Sequence, residues 1–167
     1  MSNRSLSGLW RAREGLGAIE LGFIAPVLML LLLGIFDFGM AFWEQMQIAN
    51  AADAGAQWGM SNNYDQSSIR QVAQSATSLG SAVSVTPTYV CGCPSGTGIT
   101  SGYGDPTQGG CTNCPDGTAA QPYIVVNTQM CYKTIFRWSW ALSYGNDGGC
   151  NGSGNEISLT AQSAVLK

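Results

Sequence analysis

From Leu21 to Phe36 the chain carries no charge, and only Asp37 interrupts the apolar character before Trp43. As a helix, Leu21–Phe36 would be about 24 Å long, short of the ~30 Å hydrocarbon core of a bilayer. Extension to Trp43 gives about 34 Å, which spans it. A central Asp costs about 3 kcal/mol, and each Leu, Ile, Val or Phe returns roughly 0.3–0.6 kcal/mol, so insertion wins. Asp37 marks the outer end of the span, and its carboxylate is expected to reach toward water. Pro26 lies inside the run. It cannot donate to the carbonyl of Gly22 and should kink or loosen the helix there.

Orientation follows from the basic residues. Arg4, Arg11 and Arg13 precede the run, and the next cation is Arg70. The positive-inside rule then places the N-terminus in the cytoplasm and everything beyond Trp43 outside, with Trp43 as an interfacial anchor. Removal as an ordinary secretory signal is disfavoured. Its apolar core would be shorter, and Asp37 and aromatic residues surround the small Gly39 and Ala41.

The remaining composition excludes several classes of function. Net charge is −3, and only 10% of residues are charged. Three of the seven cations precede the apolar run, so no basic face is left for nucleic acid. There is no histidine, which removes the usual general base and the commonest metal ligand. No paired carboxylates or nucleophile–base spacing points to an enzyme.

Beyond the span, Glu44–Gly59 continues as an alanine-rich helix, and Ser61-Asn62-Asn63 reads as a break. Ile69, Val72, Ala73, Ala76 and Leu79 recur at helical spacing, with Asp65 as N-cap and Gly80 as stop. Ala82–Val90 reads as a strand whose far half Pro87 demotes. Tyr123–Phe136 alternates around Ile124, Val126, Met130 and Tyr132, and Ile157–Leu166 is the last strand. The expected fold class is α+β: a long N-terminal helix, a second amphipathic helix and a small antiparallel sheet with stapled loops.

Six cysteines stand at Cys91, Cys93, Cys111, Cys114, Cys131 and Cys150, all beyond the span. Outside the cytoplasm an even set suggests three disulfides, and sequence alone allows fifteen pairings. Cys91 and Cys93 are expected to pair with Cys111 and Cys114 in either order, leaving Cys131 with Cys150. The same CxC…CxxC set has zinc-ribbon spacing and would favour metal in a reducing compartment. The topology argues for disulfides, so no metal site or cofactor is expected. Asp105, Asp116 and Asp147 lie in glycine-rich loops, where turn roles outweigh calcium binding. Phe136, Trp138, Trp140 and Tyr144 read as a satellite core under the last disulfide, with an exposed sticky patch as the alternative. Asn151-Gly152-Ser153 forms a glycosylation sequon.

The start of the chain carries a resemblance. Gly15 followed by Leu16-Gly17-Ala18-Ile19-Glu20 resembles the processing site of type IV pilin-like proteins. The longer pattern, with Glu20, Pro26, Asp37-Phe38-Gly39, Asn50-Ala51-Ala52 and Gly55-Ala56, is similar to the TadE-like minor pilins and pseudopilins of tight-adherence (Tad/Flp) systems. The closing ISLTAQSAVLK resembles the family's last strand. The resemblance implies that a prepilin peptidase cuts between Gly15 and Leu16. Glu20 then pairs with the new amine of a neighbouring subunit, and Glu20 and Pro26 serve assembly. It divides the chain into a leader (1–15), a transmembrane and assembly helix (16–60) and an extracytoplasmic head (61–167). It implies an inner-membrane, single-pass protein that passes into an adhesive pilus. Its partners would be other pilins, the peptidase, the assembly platform and, before assembly, the lipid bilayer. The alternative is a permanently anchored, adhesin-like binding module with an uncut helix. The cysteine-rich block from about 86 to 122 has no counterpart in the resemblance.

Overall fold

The computed structural model describes residues 7–96, 98–135, 150 and 156–167, with side chains from residue 17 onward except that of residue 18. The aromatic set Phe136, Trp138, Trp140 and Tyr144, Arg4, the side chains of Arg11 and Arg13, Asp147 and the Asn151 sequon lie outside that description. The chain forms two compact units, Met1–Met40 and Ala41–Lys167. Helix α1 (Ser7–Ser61) runs from the first into the second.

Among the described residues, the second unit adds helix α2 (Gln66–Ser75), a 3-10 turn (Gly80–Ala82) and six strands. These are β1 (Ser84–Ser95), β2 (Gly98–Ser101), β3 (Gly104–Asp105), β4 (Gly110–Cys111), β5 (Gln121–Lys133) and β6 (Glu156–Leu166). Four of them build one antiparallel sheet in the order β2-β1-β5-β6. Strands β3 and β4 make a separate small ladder.

Alternation on β5 directs Ile124, Val126, Thr128, Met130 and Tyr132 into the protein. Ile124, Val126 and Met130 meet Ile48, Ala51 and Ala56 of α1 and Ile69 and Ala73 of α2, so both helices cover one face of the sheet. Small residues let α1 approach closely. A Cβ on Gly59 would lie 3.1 Å from Ile124 Cδ1 and 3.2 Å from Ile69 Cδ1, and one on Gly55 would lie 3.1 Å from Ala73 Cβ. Thr128 is the polar member of this core. Its Oγ1 lies 2.9 Å from the carbonyl oxygen of Ile48 and 3.2 Å from that of Ala161, which satisfies the buried hydroxyl.

Asp65 caps α2 from extended backbone, accepting from the amides of Ser67 and Ser68 and from the Ser67 hydroxyl. The helix ends at Ser75, before the expected stop at Gly80. Ser75 Oγ donates to the carbonyl of Val72 and Thr77 Oγ1 to that of Gln74, and such local bonds compete with the next helical turn. The serine hydroxyls and amides hold the Asp65 carboxyl to about 2, below the ordinary carboxylate value. Because the folded value is lowered, this cap stabilises above about pH 4 and is lost as pH falls toward about 2. Asp65→Asn keeps an N-cap. We expect the variant to melt like the parent at pH 7 and to show a weaker loss of melting temperature between about pH 4 and pH 2.

Pro87 does not weaken the far half of β1, which continues to Ser95. Pro87 stands opposite Val126 of β5, and β2 reaches only Gly92–Ser95, so β1 is an edge strand at the proline. Side chains from α2 and its approach guard that edge. Tyr64 Oη donates to Pro87, Arg70 Nε to Val85 and Gln74 Nε2 to Val83, at 3.0, 3.1 and 3.0 Å from the carbonyl oxygens. Tyr64 also stacks on Tyr89, with ring centroids 5.4 Å apart. Burial, and then the nearby Asp65 charge, push the Tyr64 phenol upward.

The last residue closes the far end of α1. No basic residue stands in the last turn of that helix. Lys167 Nζ donates instead to the carbonyls of Gly59, Met60 and Asn62. A cation at a helix C-terminus satisfies unpaired carbonyls and opposes the macrodipole. Lys167→Met keeps most of the stem and removes the charge. It should cost about 1 kcal/mol and lower the melting temperature by roughly 2–5 °C.

All six cysteines are paired: Cys91–Cys111, Cys93–Cys114 and Cys131–Cys150, with Cα separations of 5.3, 5.8 and 5.8 Å. No thiolate is therefore left for zinc. The first two bridges form a satellite cluster with Ala120 and Tyr103, separate from the main core. Asp105 and Asp116 there accept from the amides and hydroxyls of Thr107 and Thr118, turn roles that lower both carboxyls.

Candidate functional site

The candidate site is the first part of α1. The helix is unbroken through Pro26, which is exposed. Leu21 is 70% exposed, Phe23 77%, Leu32 64% and Phe42 69%, and most of the large apolar residues from Ile19 to Trp43 are similarly open. Added Cβ atoms at Gly17, Gly22 and Gly39 would meet nothing within 4 Å. So large a continuous apolar surface is not sustained in water, and lipid or other helices must cover it. Among the described residues, this is the one helix long and apolar enough to cross a membrane.

Gly15 and Leu16 lie on the helical backbone at the start of this segment, and Glu20 is exposed one turn later. Asp37 departs from the expectation that it reaches toward water. It is 2% exposed and engaged in an interaction, as a carboxylate on an apolar helix requires.

The same helix changes character along its length. Up to Met40 its apolar side chains are bare, whereas Ile48, Ala51, Ala52 and Ala56 are buried in the second unit. The sequence accounts for both parts. Bulky Leu, Ile and Phe suit a lipid or helical environment, and the Ala/Gly run suits close packing on α2 and β5.

This helix is also the part of the chain that a comparison with known families picks out. Residues 15–57 match the family model of TadE-like proteins. The TadE-like match begins at Gly15 and ends within the part of α1 that packs into the second unit. It therefore takes in Leu16, Glu20, Pro26 and Asp37, and leaves α2, the sheet and all three disulfides outside. No curated protein and no solved structure matches the chain. The TadE-like match shows what the first part of α1 is similar to, and the same helix is long and apolar enough to cross a membrane.

Two features of the second unit carried little signal in the sequence. Lys167 is more than 100 positions from the carbonyls it caps, so no local pattern pairs them. Glu44 reads as a polar residue at the end of an apolar run, yet it lines a cavity. Among the described residues no three of His, Cys, Asp and Glu come together as a metal set.

Proposed function

We propose that this protein is a minor pilin or pseudopilin of a Tad-type pilus. A prepilin peptidase cuts it between Gly15 and Leu16, and it then assembles through the helix that starts at Leu16. The observation that supports this reading is the TadE-like match over residues 15–57, a stretch that takes in Gly15 and Glu20 and lies on a helix with exposed apolar side chains. The cut leaves a fixed positive amine at Leu16. Glu20 is an anion at the border of an apolar surface, where a charge is costly without a partner. In a bundle of parallel helices the amine of one subunit and the Glu20 of its neighbour answer each other's need. Open glycines at 17, 22 and 39 permit close helix approach once lipid is left behind.

The disulfide-stapled head faces outward and contributes to adhesion. Its bulk suits a tip or low-copy position better than every position along a thin filament. Pilin partners, the peptidase and an inner-membrane assembly platform follow from this reading, with the bilayer as the host before assembly. Fractionation tests it. The protein is expected in filaments sheared from cells, in low copy relative to the main subunit. Retention of the whole pool in the membrane of piliated cells would favour a permanent anchor instead.

A further inference from the structure

The two sides of the four-stranded sheet are finished differently. On the β1 side the carbonyls of Val83, Val85 and Pro87 are taken by Gln74, Arg70 and Tyr64, and Pro87 has no N–H to offer. Strand β2, beyond it, is only four residues long. A proline, capping side chains and a short outer strand all keep an edge from recruiting another chain.

The β6 side has no such guard. The Lys167 amide donates to the carbonyl of Pro122, which fixes the phase of the β5–β6 ladder. Alternation then turns the backbone groups of Ile157, Leu159, Ala161, Ser163 and Val165 toward β5. Those of Ser158, Thr160, Gln162, Ala164 and Leu166 point outward. Among the described residues, β6 is the last strand on its side, and of its outward backbone groups only the Thr160 carbonyl is engaged, by Gln45 Nε2 at 2.9 Å. The strand runs for 11 residues without proline, and no residue from Ile157 to Leu166 is charged. An open row of that kind is a template for a further strand.

The side chains of β6 indicate which strand fits. Leu159, Ala161 and Val165 pack against the main core but are only partly buried, whereas Ile124, Val126 and Met130 of β5 are buried. The core is therefore incompletely covered along β6. An added strand that completes it must be uncharged and apolar on one side at every second residue. A second copy of β6 has that pattern. Paired antiparallel about Ala161, Ile157 would stand beside the second copy's Val165, and Thr160 would exchange backbone bonds with the second copy's Gln162. The Thr160 carbonyl has two lone pairs and can accept from Gln45 and from a strand amide together. The contact is self-complementary and closes as a two-fold dimer.

We propose that β6 is a dimerisation edge, at which two copies join antiparallel β6 strands into one continuous sheet. The proposal concerns the second unit alone and does not depend on a cut after Gly15.

Native mass spectrometry and residue-resolved hydrogen exchange of the full-length protein in detergent, over a concentration series, test it. Dimers are expected. The amides of Gln162, Ala164 and Leu166 should slow at least about tenfold as the dimer fills, while those of Ala161, Ser163 and Val165 are already protected in the monomer. Gln162→Pro removes an outward donor and no bond of its own sheet, as Pro87 does on the other side. Gln162→Lys adds a charge to the edge. Each variant should raise the dimer dissociation constant at least about tenfold and keep three disulfides and the circular dichroism of the parent. A dimer that both variants leave unchanged, or whose outward amides stay open, would overturn the proposal by assigning association to another surface. A chain that stays monomeric at every concentration, or whose edge is filled by a strand of a different protein, would overturn it too. So would protection of the outward amides that does not change with concentration, because the edge would then be covered within one chain.

Discussion

Glu20→Ala should remove the protein from assembled filaments while leaving it inserted in the membrane and cut after Gly15. Glu20 is exposed and has no packing role in its own chain, so the substitution leaves the fold intact. On the proposed reading, it removes the partner for a neighbour's amine at the edge of an apolar helix bundle. Loss of even about 1.4 kcal/mol per contact is a tenfold change in an equilibrium, so the filament fraction should fall at least tenfold. Immunoblots of sheared filaments and of membranes from the same cells measure both pools. Unchanged incorporation would show that Glu20 has only a local role near the helix start, where the dipole favours an anion.

The second large effect is expected in the cysteine-rich excursion. Replacing Cys91, Cys93, Cys111 and Cys114 together with serine should unfold residues 98–118 and spare the helix–sheet core. The two bridges close loops with sequence separations of 20 and 21 residues, and each contributes about 3 kcal/mol in the chain-entropy account. Beyond the cysteines, their cluster holds only Ala120 and the partly buried Tyr103, too little apolar surface to hold the loops unaided. The main core keeps Ile48, Ile69, Ile124 and Val126, none of which touches the bridges. Hydrogen exchange should therefore accelerate roughly 100-fold or more within 98–118 and far less within 124–130. Uniform acceleration across both regions would mean that the excursion and the core unfold as one unit.

What could be read from sequence was local. The α2 start was legible because Asp65 and the Ile69/Ala73 spacing are one-turn signals, and Asp65 does cap that helix. Strand β5 was legible because Ile124, Val126, Met130 and Tyr132 stand an even number of positions apart and are all buried, although Val125 between the first two is buried as well. The end of α2 was less so, since Ser75 and Thr77 compete for carbonyls through side-chain rotamers that composition does not specify. Pro87 misled because its effect depends on whether the strand has a neighbour on that side. At Pro87 it has none, and Tyr64 takes the carbonyl instead. The order of the two clustered disulfides was open because Cys91 and Cys93 are too close in sequence for spacing to separate them. Lys167 at the end of α1 and Glu44 in its cavity arise only when distant segments meet. In the first part of α1 the sequence carried a resemblance over residues that the TadE-like match covers, and the roles of Gly15 and Glu20 belong to the proposal. Burial of Asp37 was not visible, because an acid near the end of an apolar run is equally consistent with solvent.

The central claim is that the helix is first an anchor and then, after one cut, an assembly element. Intact mass of the protein from cells with and without an active prepilin peptidase tests it most directly. A chain that starts at Leu16 is expected when the peptidase is active, and one that retains residues 1–15 when it is deleted. A chain still carrying Met1–Gly15 in the presence of the active peptidase would contradict it.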